Sequence, residues 1–126
     1  MKKIKTTNRY APDYVRNQKP FTNSNNQLYG EWVTPDTYAV FSYGPHWPLY
    51  IWRNGVWFEN EDRYSVNGDR YSVTTSRHRT YAHPRGEYQT QKRSVQWMLD
   101  AIENAHMDYN HAIQMHDKIN EALGVA

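Results

Sequence analysis

Residues 37–58 read TYAVFSYGPHWPLYIWRNGVWF, and this stretch decides the fold. β-branched and aromatic side chains fill residues 37–43, 49–52 and 56–58, and such runs favour β-strands. Asn54-Gly55 separates the last two runs. Both residues of an Asn-Gly pair accept the positive φ of a type I′ turn, which makes this the strongest short hairpin signal in a sequence. The stretch therefore predicts an antiparallel meander.

A second Asn-Gly pair lies within an internal repeat. Residues 62–66 read Asp-Arg-Tyr-Ser-Val, and residues 69–73 repeat those five residues after Asn67-Gly68. Either a hairpin of two near-identical strands or a duplicated loop explains this repeat. With a further strand here, the meander has four to five strands.

Apolar or ring side chains recur along the last third of the chain at alternating steps of three and four residues. The positions are Val95, Met98, Ile102, Ala105, Tyr109, Ala112, His116, Ile119 and Leu123. This spacing predicts a helix with a heptad seam. A continuous helix from about residue 92 to 123 is ~45 Å long at 1.5 Å per residue. Either it projects and pairs with a second chain, or it breaks into two shorter helices.

The predicted fold class is α+β, with a small antiparallel β-meander followed by one long or two shorter C-terminal helices. Residues 1–30 are polar, and Pro12 and Pro20 argue against a helix there, so they predict an extended arm. Residues 31–84 form the β region and residues 85–126 the helical region of a single domain. The predicted oligomer interface is the stronger part of the seam: Val95, Met98, Ile102, Tyr109, Ile119 and Leu123.

Composition excludes several classes of protein. The chain has no cysteine, which excludes disulfides and thiolate metal sites. No apolar run approaches the ~20 residues of a membrane span, and no apolar run follows the basic N-terminus as in a signal peptide. We therefore expect a cytoplasmic protein without a membrane partner. Hydrophobic residues are only 38% but aromatic residues are 15%, so rings must supply much of the core or an adhesive surface.

The sequence offers no strong catalytic or metal-binding motif. His106, His111 and His116 are five residues apart, about 140° around a helix, so they cannot share one metal ion. Serines 65, 72 and 76 lie near His78, but no nucleophile elbow or oxyanion loop accompanies them. The glycines are single turn residues rather than a phosphate-binding loop. We expect no catalytic residues, no metal and no cofactor. A small hydrolase is the least favoured of the three functions that the sequence leaves open; the other two are binding functions.

Basic and aromatic residues alternate between residues 70 and 93, after strands that carry three tryptophans. Such a combination suits either a protein interface or bases and phosphates of a nucleic acid or nucleotide. A third alternative is that the tryptophans form the core and the arginines are solvated. The predicted binding residues are Tyr43, His46, Trp47, Trp52, Trp57, Tyr71, Thr74, Thr75, Ser76, Arg77, His78, Arg79, Arg85 and Arg93.

Residues 42–50, 57–60 and 71–78 resemble a family of small bacteriophage proteins. The shared pattern is S-Y-G…P-x-Y…W-x-x-N-x-D-x-Y-S-x-T-T-S-x-H, and it spans roughly residues 17–84. This chain departs from it by the extra copy of the repeat. The resemblance implies a phage accessory protein of the host cytoplasm, bound to a host protein and inhibiting a host defence or takeover target. The alternative is a nucleic-acid or nucleotide-signal binding protein that uses residues 70–93.

Overall fold

The computed structural model describes residues 3–62, 73–84 and 89–124. Their elements run in the following order: β1 (Ile4–Thr6), α1 (Ala11–Arg16), β2 (Phe21–Asn23), β3 (Leu28–Thr34), β4 (Thr37–Ser42), β5 (Pro48–Arg53), β6 (Val56–Asn60), α2 (Val73–Tyr81), β7 (Thr90–Arg93) and α3 (Val95–Ala122). The α+β class is confirmed. The expectation of four to five antiparallel strands is wrong, because the described residues contain seven strands, which form one mixed sheet in sequence order.

Three strands of the antiparallel centre, β4, β5 and β6, follow the predicted runs, whereas β3 was not predicted. Strands β3, β4, β5 and β6 pair antiparallel with their neighbours. The turn between β5 and β6 has positive φ at both central residues, 53° at Asn54 and 77° at Gly55. This is the geometry that the Asn-Gly pair predicts.

The parallel pairs lie at the two edges of the sheet. β1 pairs with β2 and β6 pairs with β7, and each pair is joined through a helix as a β-α-β unit. Each strand from β2 to β6 runs antiparallel to the next one, so β2 and β6 run in the same direction. Two crossovers of the same hand that advance in the same direction place their helices on the same face. Accordingly, Ala11 and Val15 of α1 and Ala82 after α2 belong to one core cluster.

The N-terminal segment is not the predicted extended arm. It forms β1, α1 and β2, and Pro12 stands in the first turn of α1. A proline there removes no helical hydrogen bond and has the right φ, so it begins this helix rather than excluding it. Two ring groups hold the segment to the sheet. The Trp32 indole donates to the Gln18 carbonyl at 2.9 Å, and the Tyr38 hydroxyl donates to the Lys19 carbonyl at 2.7 Å.

Helices cover both faces of the sheet. The α1/α2 face carries the larger core, which is rich in rings and includes Phe21, Tyr38, Trp47, Tyr50 and Trp57. The α3 face carries a smaller core in which Met98 packs with Ala39, Phe41 and Ile51. The sheet is therefore the middle of three layers, and six aromatic side chains of the described residues are buried against it: Phe21, Tyr38, Phe41, Trp47, Tyr50 and Trp57.

Of the two predicted arrangements for the C-terminal region, the structure has the single long helix. The Ser94 hydroxyl accepts the backbone N–H of Trp97 at 3.1 Å and caps α3, which then continues for 28 residues. The region is not wholly helical, because β7 precedes this cap. The repeat at residues 62–73 lies, apart from its two end residues, outside the described residues, and so do Tyr71 and Arg85.

Candidate binding groove

Two of the predicted binding tryptophans are core residues. Trp57 is 1% exposed and Trp47 is 5% exposed. Trp52 is half-buried and meets Trp32 edge to face, with ring centroids 5.9 Å apart. These rings stabilise the α1/α2 face of the sheet and do not form an open surface together.

Tyr43 and His46 lie in the turn between β4 and β5, where both are exposed. Tyr43 has a φ of 61°, in the left-handed region that costs a non-glycine residue about 1–2 kcal/mol. Its ring lies over His78, with centroids 5.6 Å apart. The turn thus covers His78 rather than extending a binding surface.

His78 forms a buried pair with Ser42, a serine that sequence reasoning did not select. The Ser42 hydroxyl lies 2.8 Å from Nδ1 of His78. Burial lowers the pKa of His78, so its imidazole is neutral near pH 7. A hydroxyl beside a neutral imidazole is the pair that nucleophilic catalysis uses. Here, however, the two residues are 0% and 2% exposed, and the pair joins α2 to the sheet.

Arg79 also faces inward. Its guanidinium donates to Oε2 of Glu59 at 2.6 Å, and the Thr90 hydroxyl donates to Oε1 at 2.9 Å. Burial acts to raise the pKa of Glu59, but these hydrogen bonds and the charges of Arg79 and His83 outweigh it and hold that pKa below its usual value. The carboxylate therefore links α2 and β7 to β6.

The predicted basic face is divided by the fold. Arg79 lies on the α1/α2 face, Arg77 is exposed on α2, and Arg93 lies on the α3 face. Thr74, Thr75 and Ser76 belong to α2, but their side chains are outside the described part of the structure. Arg93 therefore does not share a surface with Arg77 and Arg79 of α2.

Arg93 takes part in a different ring and guanidinium cluster, at the start of α3. Its guanidinium carbon lies 5.2 Å from the centroid of the Trp97 ring and 5.5 Å from that of Phe58. The two rings contact each other with centroids 4.8 Å apart. The same guanidinium donates to the Lys92 carbonyl and to the Gln91 side chain, each at 2.8 Å. The cation is therefore held in place over the rings.

A groove opens beside this cluster, between the β5–β6 hairpin and α3. It has a volume of about 510 Å³, within the ~300–1,000 Å³ of ordinary ligand clefts. Its apolar lining is Ile51, Val56, Phe58, Trp97 and Ala101, and its polar lining is Thr37, Arg53, Asn54, Asp100 and Asn104. Trp97 is 39% exposed, so a large indole surface is available to an occupant.

Charges at the rim are mixed. The Arg53 guanidinium lies 3.6 Å from the carboxylate of Asp36 and 3.5 Å from that of Asp108. Its Nε is buried and has no hydrogen-bond partner among the described residues. Asp100 accepts from the Gln96 side chain at 2.9 Å. An apolar floor with such a polar rim is the anatomy of a protein interface.

Trp97 and Phe58 were missed as binding residues, although a sequence signal for Trp97 exists. Trp97 lies off the heptad seam, one residue before Met98, at a position where an amphipathic helix carries polar side chains. A large ring outside the seam is the signal. Phe58 has no such signal in the sequence. Side chains along β6 alternate between the two faces of the sheet, but this alternation does not tell which face stays open.

Comparison of this chain with protein-family models, curated proteins and solved structures found no match. Within the described residues, no three His, Cys, Asp or Glu side chains come together as metal ligands. None of the helices in that same part of the chain combines the length and apolar character required to cross a membrane.

Proposed function

We propose that this protein is a non-catalytic binding protein that docks a protein partner in the groove beside α3. The observation that carries the proposal is the cluster of Phe58, Trp97 and Arg93 at the edge of an apolar groove. Trp and Arg dominate the binding energy of protein interfaces. Here Trp97 is exposed, and half-buried Arg93 is already ordered by its hydrogen bonds. An ordered side chain loses less entropy on binding.

The groove suits a protein segment in its chemistry. Ile51, Val56 and Ala101 offer contact to apolar side chains of a partner. The amides of Asn54 and Asn104 lie beside them and can pair with a partner's backbone. This combination favours a partner segment that places one or two apolar side chains in the groove and keeps its polar backbone at the rim.

A nucleic-acid ligand is less well supported. Asp100 lies in the groove, and Asp36 and Asp108 flank Arg53. Carboxylates at these positions repel phosphates, and Arg79 is committed to Glu59 on the opposite face. A phosphate-driven complex needs several free cations on one surface.

The resemblance to small phage proteins extends this proposal to the class of partner. A phage accessory protein acts in the host cell, and its partner is then a host protein, such as a component of a defence system or a target of takeover. The support for this step is the Ser42–Tyr50 and Tyr71–His78 sequence pattern, not the geometry of the groove.

Affinity capture from a bacterial lysate tests the function. We expect the wild-type chain to retain a discrete protein, and Trp97→Ala to lose it. Tyr10→Ala is the matched control, because Tyr10 is also an exposed ring beneath an arginine, with Arg9 5.6 Å from its centroid, but does not line the groove. Equal capture by wild type and Trp97→Ala contradicts the proposal, as does steeply salt-dependent binding of a single-stranded oligonucleotide that Trp97→Ala removes.

A further inference from the structure

The C-terminal half of α3 presents apolar side chains to solvent. We call residues 106–123 the overhang. It is exposed throughout except for half-buried Asn120. Its large apolar side chains are 42–72% exposed, and they are Met107, Tyr109, Ile113, Met115, Ile119 and Leu123. No described element of the chain buries them.

Most of these side chains continue the side of α3 that contacts the sheet. Ile102 packs into the α3-face core, and Tyr109, His116 and Leu123 follow it at intervals of seven residues. Positions seven apart on a straight helix drift by only ~20°. Ile113 and Ile119 flank the same line at steps of three from His116. The seam therefore packs against the sheet up to Ala105, and beyond Ala105 no described element of the chain covers it.

The overhang is complementary to itself when turned by 180°. Tyr109 and Leu123 lie seven residues on either side of His116, and Ile113 and Ile119 lie three on either side. In an antiparallel pair centred on His116, Tyr109 packs against Leu123 of the second copy. Ile113 then packs against Ile119 of that copy. A two-fold axis through His116 satisfies every large apolar position of the seam.

Helix dipoles favour the antiparallel over the parallel arrangement, because antiparallel helices place opposite ends of their dipoles together. Of the acidic side chains of the overhang, Asp108 is already engaged by Arg53 of the same chain.

We propose that two copies of this chain associate through their overhangs, as an antiparallel helix pair with its two-fold axis at His116. The overhang is ~27 Å long at 1.5 Å per residue. The two sheet layers then stand at opposite ends of the pair, and each groove stays open because it lies on the first half of α3. The inference is independent of the groove's function.

Light scattering of the intact chain after size exclusion tests the association. We expect a dimer for wild type and a monomer for Ile113→Glu/Ile119→Glu, with unchanged circular dichroism because both side chains are already exposed. Met107→Glu is the matched control: it is also exposed, but points about 180° away from the seam, and it should stay dimeric. A monomeric wild type or a dimeric double variant overturns the proposal.

Disulfide trapping tests the direction of the pair. The chain has no cysteine, so one introduced thiol reports one contact. His116→Cys lies on the axis and should cross-link to itself. Leu123→Cys alone should not cross-link. In the double variant Tyr109→Cys/Leu123→Cys, Cys at position 109 of one copy should cross-link to Cys at position 123 of the other. Efficient self-cross-linking of Leu123→Cys alone indicates a parallel pair and overturns the proposed geometry. Trp97→Ala should remain dimeric, which separates this proposal from the groove's function.

Discussion

His78 gives the protein a pH-dependent stability. Burial holds the pKa of His78 below its ordinary value near 6.5, so the unfolded chain takes up a proton at a higher pH than the folded chain. The stability contribution is therefore complete above pH 6.5 and is lost as pH falls through the folded pKa. We expect the free energy of unfolding in urea to fall between pH 7.5 and 5.5, by at most about 1.4 kcal/mol per pH unit.

The variant His78→Asn checks the source of this dependence. Asparagine keeps a polar atom near Ser42 but does not titrate, so its overall stability should be lower and its profile flatter in that pH window. An equally steep profile in the variant would assign the effect to another group. Glu59 does not interfere, because its lowered pKa confines its own loss of stability to pH below about 4.5.

Gly30 is required by packing rather than by its backbone angle. A Cβ atom added there collides with the Tyr38 hydroxyl and the Phe21 ring, both parts of the α1/α2-face core. Gly30→Ala should destabilise the protein by about 1–3 kcal/mol, the usual cost of overpacking. Urea unfolding at pH 7.5 measures it. Gly55→Ala is a useful contrast, since nothing lies near its added Cβ and only the backbone strain of positive φ remains.

At the scale of elements, the Arg79–Glu59 pair fixes α2 to the sheet. Arg79→Met leaves a carboxylate that is 9% exposed without its cation. Loss of one partner costs about 3–5 kcal/mol in a fully buried pair, and we expect about 2 kcal/mol here because Arg79 is 23% exposed. The double variant Arg79→Met/Glu59→Leu should recover part of the loss. Additive effects in this cycle would show that the pair does not couple α2 to β6.

The elements differ in how far sequence could predict them. Strands β4, β5 and β6 and their Asn54-Gly55 turn carry their signal within a few residues, and they were predicted. β1, β2, β3 and β7 were not predicted. The edge strands β1 and β7 have only three or four mostly polar residues, and such strands form only by pairing with a neighbour. The seam predicted α3, but not that its first half would meet the sheet of the same chain.

At the scale of the whole molecule, composition could not place the rings. Tyr and Trp have an apolar body and a polar end, so the same residues serve a core or an adhesive surface. The structure places Trp47 and Trp57 in the core and leaves Trp97 open. The predicted combination of rings and a guanidinium does occur, but it uses Trp97 and Phe58 with Arg93. Only the layer order of the fold, which puts α3 over one face, creates the groove beside them.

Site-specific photo-cross-linking in bacterial cells tests the groove as the docking surface most directly. A benzophenone side chain at Asn104, an exposed residue of the rim, should yield one discrete cross-linked protein. The product should disappear when Trp97→Ala is added. The same probe at Asn25, exposed in the β2–β3 turn, should give no such product. Cross-linking at Asn25 but not Asn104, or a product at Asn104 that survives Trp97→Ala, would contradict the account.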